Sequence, residues 1–190
     1  MHFLSSRSSA RTLALLALVA SLLVPAQAEK SLARLQEPGT ILLLRHALAP
    51  GTGDPPGFSV EDCSTQRNLS DAGREQARAL GERLRAAGIE EARVFSSHWC
   101  RCLETAQLLD LGPVYPEPAF DSFFQRRQEG DARTRAAREF LSRLPPGPPV
   151  VVVTHQFNIR ALTGESTASA GGWLVRVSPQ GEVESVGPLR

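Results

Sequence analysis

The chain has almost no lysine. Lys30 is the only one, so nearly all of the basic charge that balances its acids is arginine, and the net charge is +1. That balance gives no ground for nucleic-acid binding, and no nucleic-acid partner is expected. Long apolar runs are scarce too. The run from Leu13 to Val24 follows Arg7 and Arg11 and precedes Pro25-Ala26-Gln27-Ala28. It is shorter than the roughly 20 residues a spanning helix needs. A charged start, an apolar stretch and a small-x-small site are the grammar of a secretory signal peptide. Residues 1–28 therefore read as a signal peptide cleaved after Ala28, and residues 29–190 as a single domain. No later stretch is apolar enough to span, so no stable membrane insertion is expected after cleavage. The mature protein is expected to be exported, and periplasmic if the source is a Gram-negative bacterium. Internal repeats and low-complexity tracts are absent.

Cysteine is also rare, and its count is odd: Cys63, Cys100 and Cys102. In an exported protein this favours one disulfide and one free thiol. Cys100 and Cys102 are too close in sequence to pair easily, which leaves Cys63 bridged to one of them. Cys63–Cys102 is the expected bridge, with Cys63–Cys100 the alternative. His98, Cys100 and Cys102 do not have the spacing of a standard zinc site, and no metal is expected.

Of what is present, the most informative stretch is Ile41-Leu42-Leu43-Leu44-Arg45-His46. Four apolar residues without polar alternation read as a strand buried on both faces. Arg93 to Ser97 and Val150 to Thr154 read as further strands, the second of them central. Ser70 reads as the N-cap of an amphipathic helix stopped by Gly88. Helices are also expected from Cys100 to Leu109, Asp131 to Leu144 and Gln156 to Leu162. Trp173–Val177 and Glu182–Val186 read as a hairpin about Pro179-Gln180-Gly181. Residues 47–68 and 112–129 read as long connections, the latter limited by Pro113, Pro116 and Pro118. Strands alternating with helices predict an α/β fold: three α/β/α layers, a mostly parallel sheet and an antiparallel edge.

Three strand ends then carry similar chemistry. Arg45-His46 follows the first strand, Ser97-His98-Trp99-Cys100-Arg101 the second, and His155 the third. In parallel strands these ends share one rim, where open α/β sheets bind ligands. Two arginines and two histidines there make an anion site. Guanidinium forks grip phosphate oxygens two at a time, and the helix start after His155 adds backbone N–H groups. Neighbouring cations keep an imidazole neutral, and a neutral ring nitrogen is a competent nucleophile toward phosphorus. A GC-rich genome would also give an arginine bias, so the bias alone carries nothing. Arg67 and the pair Arg126-Arg127 read equally well as substrate contacts or as solvated charges. Trp99 and Trp173 read as packing residues.

Four segments together resemble the histidine phosphatase (phosphoglycerate mutase-like) superfamily: Leu44-Arg45-His46-Ala47, Arg67-Asn68-Leu69-Ser70-Asp71-Ala72-Gly73, Ser96 through Ala106, and Val153-Thr154-His155-Gln156 through Leu162. The resemblance covers most of the mature chain, including the small exported phosphatase branch. It implies His46 as the phosphorylated nucleophile. Arg45, Arg101 and His155 would hold the phosphate, and Gln156 would add a donor. It also implies no cofactor, and a small phosphorylated substrate such as a sugar phosphate or cell-envelope glycan phosphate. Ala47 and Gln156 replace glycines usual in the family. The family's acidic motif has no clear counterpart, so Asp121 is the expected proton donor, with Glu129 behind it. A protein phosphohistidine phosphatase and a non-catalytic phospholigand-binding domain are the alternative readings.

Overall fold

The computed structural model describes residues 32–189. The proposed signal peptide lies outside them. Among the described residues no helix is long and apolar enough to cross a membrane.

Thr40–Arg45 forms β1, buried along its apolar length. β2 is Arg93–Ser96, β3 Val114–Pro116, β4 Val150–Thr154, β5 Gly172–Val177 and β6 Val183–Pro188. The helices are α1 (Asp71–Ala86), α2 (Cys100–Leu109), α3 (Gly130–Ser142) and α4 (Gln156–Thr163). The six strands form one sheet in the order β3-β2-β4-β1-β5-β6. β3, β2, β4 and β1 are parallel, and β5 and β6 run antiparallel to them. This is the mixed α/β architecture expected, with β4 in the interior.

Side-chain alternation explains the layers. Leu42 and Leu44 join Val151 and Val153 on one face, packed with Leu80 and Leu84 of α1 and Cys102, Ala106 and Leu109 of α2. Ile41 and Leu43 join Val150 and Val152 on the other, with Ala137 and Leu141 of α3 and Ile159 and Leu162 of α4. A run apolar at every position is what a strand covered on both sides requires.

Two details depart from the sequence reading. The connection expected to be irregular from 112 to 129 contains β3, a short edge strand ending in Pro116. An edge is where a strand tolerates proline, since one side of its backbone needs no partner. The bridge joins Cys63 to Cys100, and Cys102 is free and buried. The expected Cys63–Cys102 pairing fails because two helical residues differ by about 200° in direction. Cys102 shares its face with Ala106 and Leu109 and points into the core. Cys100, the first residue of α2, turns toward the 47–68 loop, where Gln66 Oε1 accepts its N–H.

Glycine sets the approach of α1. Ser70 Oγ accepts from Gly73 N–H as its N-cap. A Cβ on Gly73 would collide with the Leu48 carbonyl, and one on Gly81 with the backbone of Leu109. Gly81→Ala should therefore destabilise the fold by at least ~1 kcal/mol in urea unfolding, overpacking outweighing the gain in helix propensity. Thiol alkylation checks the bridge. The native protein should show no reactive thiol, the denatured protein one, and the reduced, denatured protein all three cysteines. Reduction should cost about 2–4 kcal/mol of stability.

Candidate active site

The register of β1 on β4 pairs Arg45 with Thr154, so the residues that follow, His46 and His155, leave the sheet side by side. Their ring centroids are 5.5 Å apart. His46 N–H donates to the Thr154 carbonyl, and Ala47 N–H donates to Thr105 Oγ1, whose hydroxyl donates to the Arg101 carbonyl. The turn after β1 is thus tied to β4 and to α2. Ala47 has no exposed surface and sits in a small cluster with Ala49, Leu69 and Ala77, which accommodates its extra methyl.

His46 Nδ1–H donates to the Ala47 carbonyl at 2.8 Å. That bond settles the tautomer: the proton is on Nδ1 and Nε2 keeps its lone pair. Burial lowers the His46 pKa to about 3, and Arg101, Arg67 and Arg45 push the same way against the Ala47 bond. His155 is lowered well below the ordinary histidine range, first by burial, then by Arg101 and its other neighbours. Both imidazoles are neutral at physiological pH.

A cavity of about 150 Å³ opens over these rings. Arg45, Arg67, Arg101 and Gln156 line it, together with the loop from Gly51 to Asp54 and the side chains of Ser122, Phe124 and Phe157. A larger cleft of about 620 Å³ between α3 and residues 117–119 contains none of the histidines. Arg45 and Arg101 each keep a buried Nε–H with no partner. Gln156 Oε1 is taken by Thr167 N–H.

Asp54 had no signal in the sequence. It lies in an irregular loop without a motif, yet its carboxylate grips the Arg101 guanidinium at 2.7 and 3.1 Å. Arg67 N–H and Trp99 Nε1–H also donate to it. Burial opposes its charge, but the Arg101 pair and these bonds prevail and hold the carboxyl below its usual value. Trp99 thereby does more than pack. Arg67, left open by the sequence, lines the cavity and donates to the Gly53 and Ala49 carbonyls.

The structure brings Arg45, His46, Arg101, His155 and Gln156 to one cavity. Asp121 is placed differently: it does not line the cavity. Its Oδ1 accepts from His98 N–H at 2.8 Å, His98 Nδ1 at 3.0 Å and Ser97 Oγ at 3.3 Å. Glu129 is turned away and pairs with Arg126 and Arg133. His98, Cys100 and Cys102 are separated into three environments: a hydrogen bond to Asp121, a disulfide and the core.

The neutral His46 has a consequence for stability. Between its folded value of about 3 and its ordinary 6.5, the unfolded chain binds a proton that the folded protein refuses. Stability should fall as pH drops through that window, by at most ~1.4 kcal/mol per pH unit for one such group. Urea midpoints measured from pH 7 to pH 4 should decline less steeply in His46→Gln than in the wild type.

Residues 41–123 match the family model described as "Histidine phosphatase superfamily (branch 1)". No curated protein matches the chain by sequence. Among solved structures, one described as a phosphohistidine phosphatase, SixA, from Agrobacterium tumefaciens superposes with a TM-score of 0.57 at 17% identity, covering 80% of this chain and 98% of its own. A mycobacterial glucosyl-3-phosphoglycerate phosphatase gives 0.55 at 15%, over 80% and 98%. A phosphoserine phosphatase from Entamoeba histolytica, in complex with 3-phosphoglyceric acid, gives 0.55 at 14%, over 78% and 95%. Residues 41–123, which carry Arg45, His46 and Arg101, thus match the histidine phosphatase superfamily model, and the fold is the one shared by these solved phosphatases.

Proposed function

We propose that the protein hydrolyses phosphorylated compounds through a phosphohistidine formed on His46. The match of residues 41–123 to the superfamily model and the shared fold support a histidine-type phosphatase, a phosphoric monoester hydrolase. The observation that carries the mechanism is the bond from His46 Nδ1–H to the Ala47 carbonyl, which leaves the Nε2 lone pair over a cavity lined by three guanidinium groups. That lone pair attacks phosphorus, and the bond to the leaving atom breaks with its electrons passing to that atom. Water then attacks the phosphoryl group, the P–Nε2 bond returns its electrons to His46, and phosphate departs. Arg45, Arg67 and Arg101 neutralise the phosphoryl oxygens in both steps, with His155 and Gln156 beside them. The buried, unpartnered Nε–H groups of Arg45 and Arg101 suit an anion. The signal-like residues 1–28 support export, and a periplasmic site in a Gram-negative source.

The placement of the carboxyls bears on the substrate. Asp54 is committed to Arg101 as an anion, Asp121 sits behind Ser97, and Glu129 faces other arginines. None of the three is free to protonate a leaving oxygen. A sugar phosphate or glycan phosphate leaves as a poor alkoxide and would need that proton. Phosphohistidine does not, because its leaving imidazole takes a proton from water at the remote ring nitrogen. This favours a protein phosphohistidine phosphatase as the second reading, and the likeness to SixA supports it.

Turnover of an aryl phosphate, an alkyl phosphate and a phosphohistidine peptide separates these readings. Acid-labile phosphate should appear on the protein, and His46→Ala should abolish both it and turnover. Aryl phosphate and phosphohistidine should exceed alkyl phosphate by about 10²-fold or more, the typical worth of a general acid. Comparable alkyl turnover would restore the sugar phosphate reading. Phosphate binding without turnover of any substrate would leave a phospholigand-binding domain.

A further inference from the structure

We propose that Ser97 and Asp121 are positioning residues that fix the proton of His155 on Nε2. His155 has 4% of its surface exposed, Ser97 none and Asp121 8%, so water does not compete for the bonds among them. Ser97 Oγ lies 2.9 Å from His155 Nε2 and 3.3 Å from Asp121 Oδ1, and it accepts from Trp99 N–H. A hydroxyl has one hydrogen and two lone pairs. The Asp121 carboxylate only accepts, so it takes the Ser97 hydrogen. Trp99 N–H occupies one lone pair of Ser97, the Cys102 thiol also lies against the hydroxyl, and the second lone pair faces Nε2 at 2.9 Å. His155 must therefore be the donor in that contact, with its proton on Nε2 and a bare Nδ1.

Asp121 is itself held in place. His98 donates to it through both its backbone N–H and Nδ1, and the Arg133 guanidinium stands 3.5 Å from its other oxygen. Asn158 Nδ2 donates to its backbone carbonyl. The ring of His155 is confined as well. The Trp99 ring meets it edge-on with centroids 5.5 Å apart, His46 does the same, and the Cys102 thiol lies against Nε2 while donating to the Thr154 carbonyl. With the ring confined on these sides, the tautomer is the variable that Ser97 and Asp121 decide. The two catalytic imidazoles then present opposite patterns: His46 carries its proton on Nδ1 and His155 on Nε2. Asp121, on this assignment, acts through Ser97 and never touches the leaving atom.

The catalytic consequence rests on the phosphatase reading, whereas the tautomer does not, and the experiment keeps them apart. In ¹⁵N-histidine-labelled protein without substrate, the His155 imidazole should show its proton on Nε2 alone. Ser97→Ala should give a mixture of tautomers. Asp121→Ala should free the Ser97 hydrogen to turn toward Nε2 and move the imidazole proton to Nδ1. Kinetically, Ser97→Ala should lower kcat by about a hundredfold, the typical penalty of a misplaced group. Inhibition by inorganic phosphate should change far less, and Ser97→Thr, which keeps the hydroxyl, should restore both tautomer and kcat. A wild-type proton on Nδ1, or a tautomer indifferent to both alanine variants, overturns the proposal. A wild-type protein that shows the expected tautomer but hydrolyses nothing overturns the phosphatase reading instead.

Discussion

Everything in the site depends on one register, the parallel pairing of β1 with β4 that sets Arg45 beside Thr154. Because side chains alternate along a strand, a slip of one residue would exchange the two core faces and send the histidines to different places. The slip is forbidden by the apolar run itself. Leu42, Leu43 and Leu44 have no exposed surface, nor do Val151, Val152 and Val153, and each belongs to the layer its parity dictates. The hydrophobic cores on both faces of the sheet thus hold two imidazoles in contact at its rim.

That rim concentrates like charge, and the protein contains the cost in two ways. The imidazoles stay neutral, so three guanidinium groups and two histidines amount to three charges rather than five. Asp54 then balances one of them through a buried two-pronged pair with Arg101. Such a pair stabilises little by itself, since desolvation offsets most of the attraction. Its effect is geometric. Arg101 spends three of its five N–H groups on Asp54 and the Arg67 carbonyl, and points the remainder from a fixed plane.

The sheet, its helices and the rim of histidines and arginines were legible because they follow from periodicity and from strand ends. Three things were missed. Asp54 sits in a loop where no period exists, and only the folded chain shows that residue 54 meets residue 101. The cysteine pairing was within reach: Cys102, Ala106 and Leu109 fall on one helical face, which marks Cys102 as a core residue and turns Cys100 outward. The role of Asp121 depended on where its carboxyl points, and no spacing rule reports that. Expected as the proton donor, it stands one hydroxyl away from the His155 ring.

The edge strand β3 has a bearing on how this molecule meets its own copies. An exposed strand edge offers free N–H and C=O groups to any passing strand, and that is how folded sheets begin to aggregate. Here Pro113 precedes the strand, Pro116 ends it and Pro118 follows, and each removes a backbone donor. With only Val114–Pro116 in the strand and proline on either side, there is too little regular edge to template another chain. The prolines that made this stretch look structureless in the sequence are what allow the sheet to stop there.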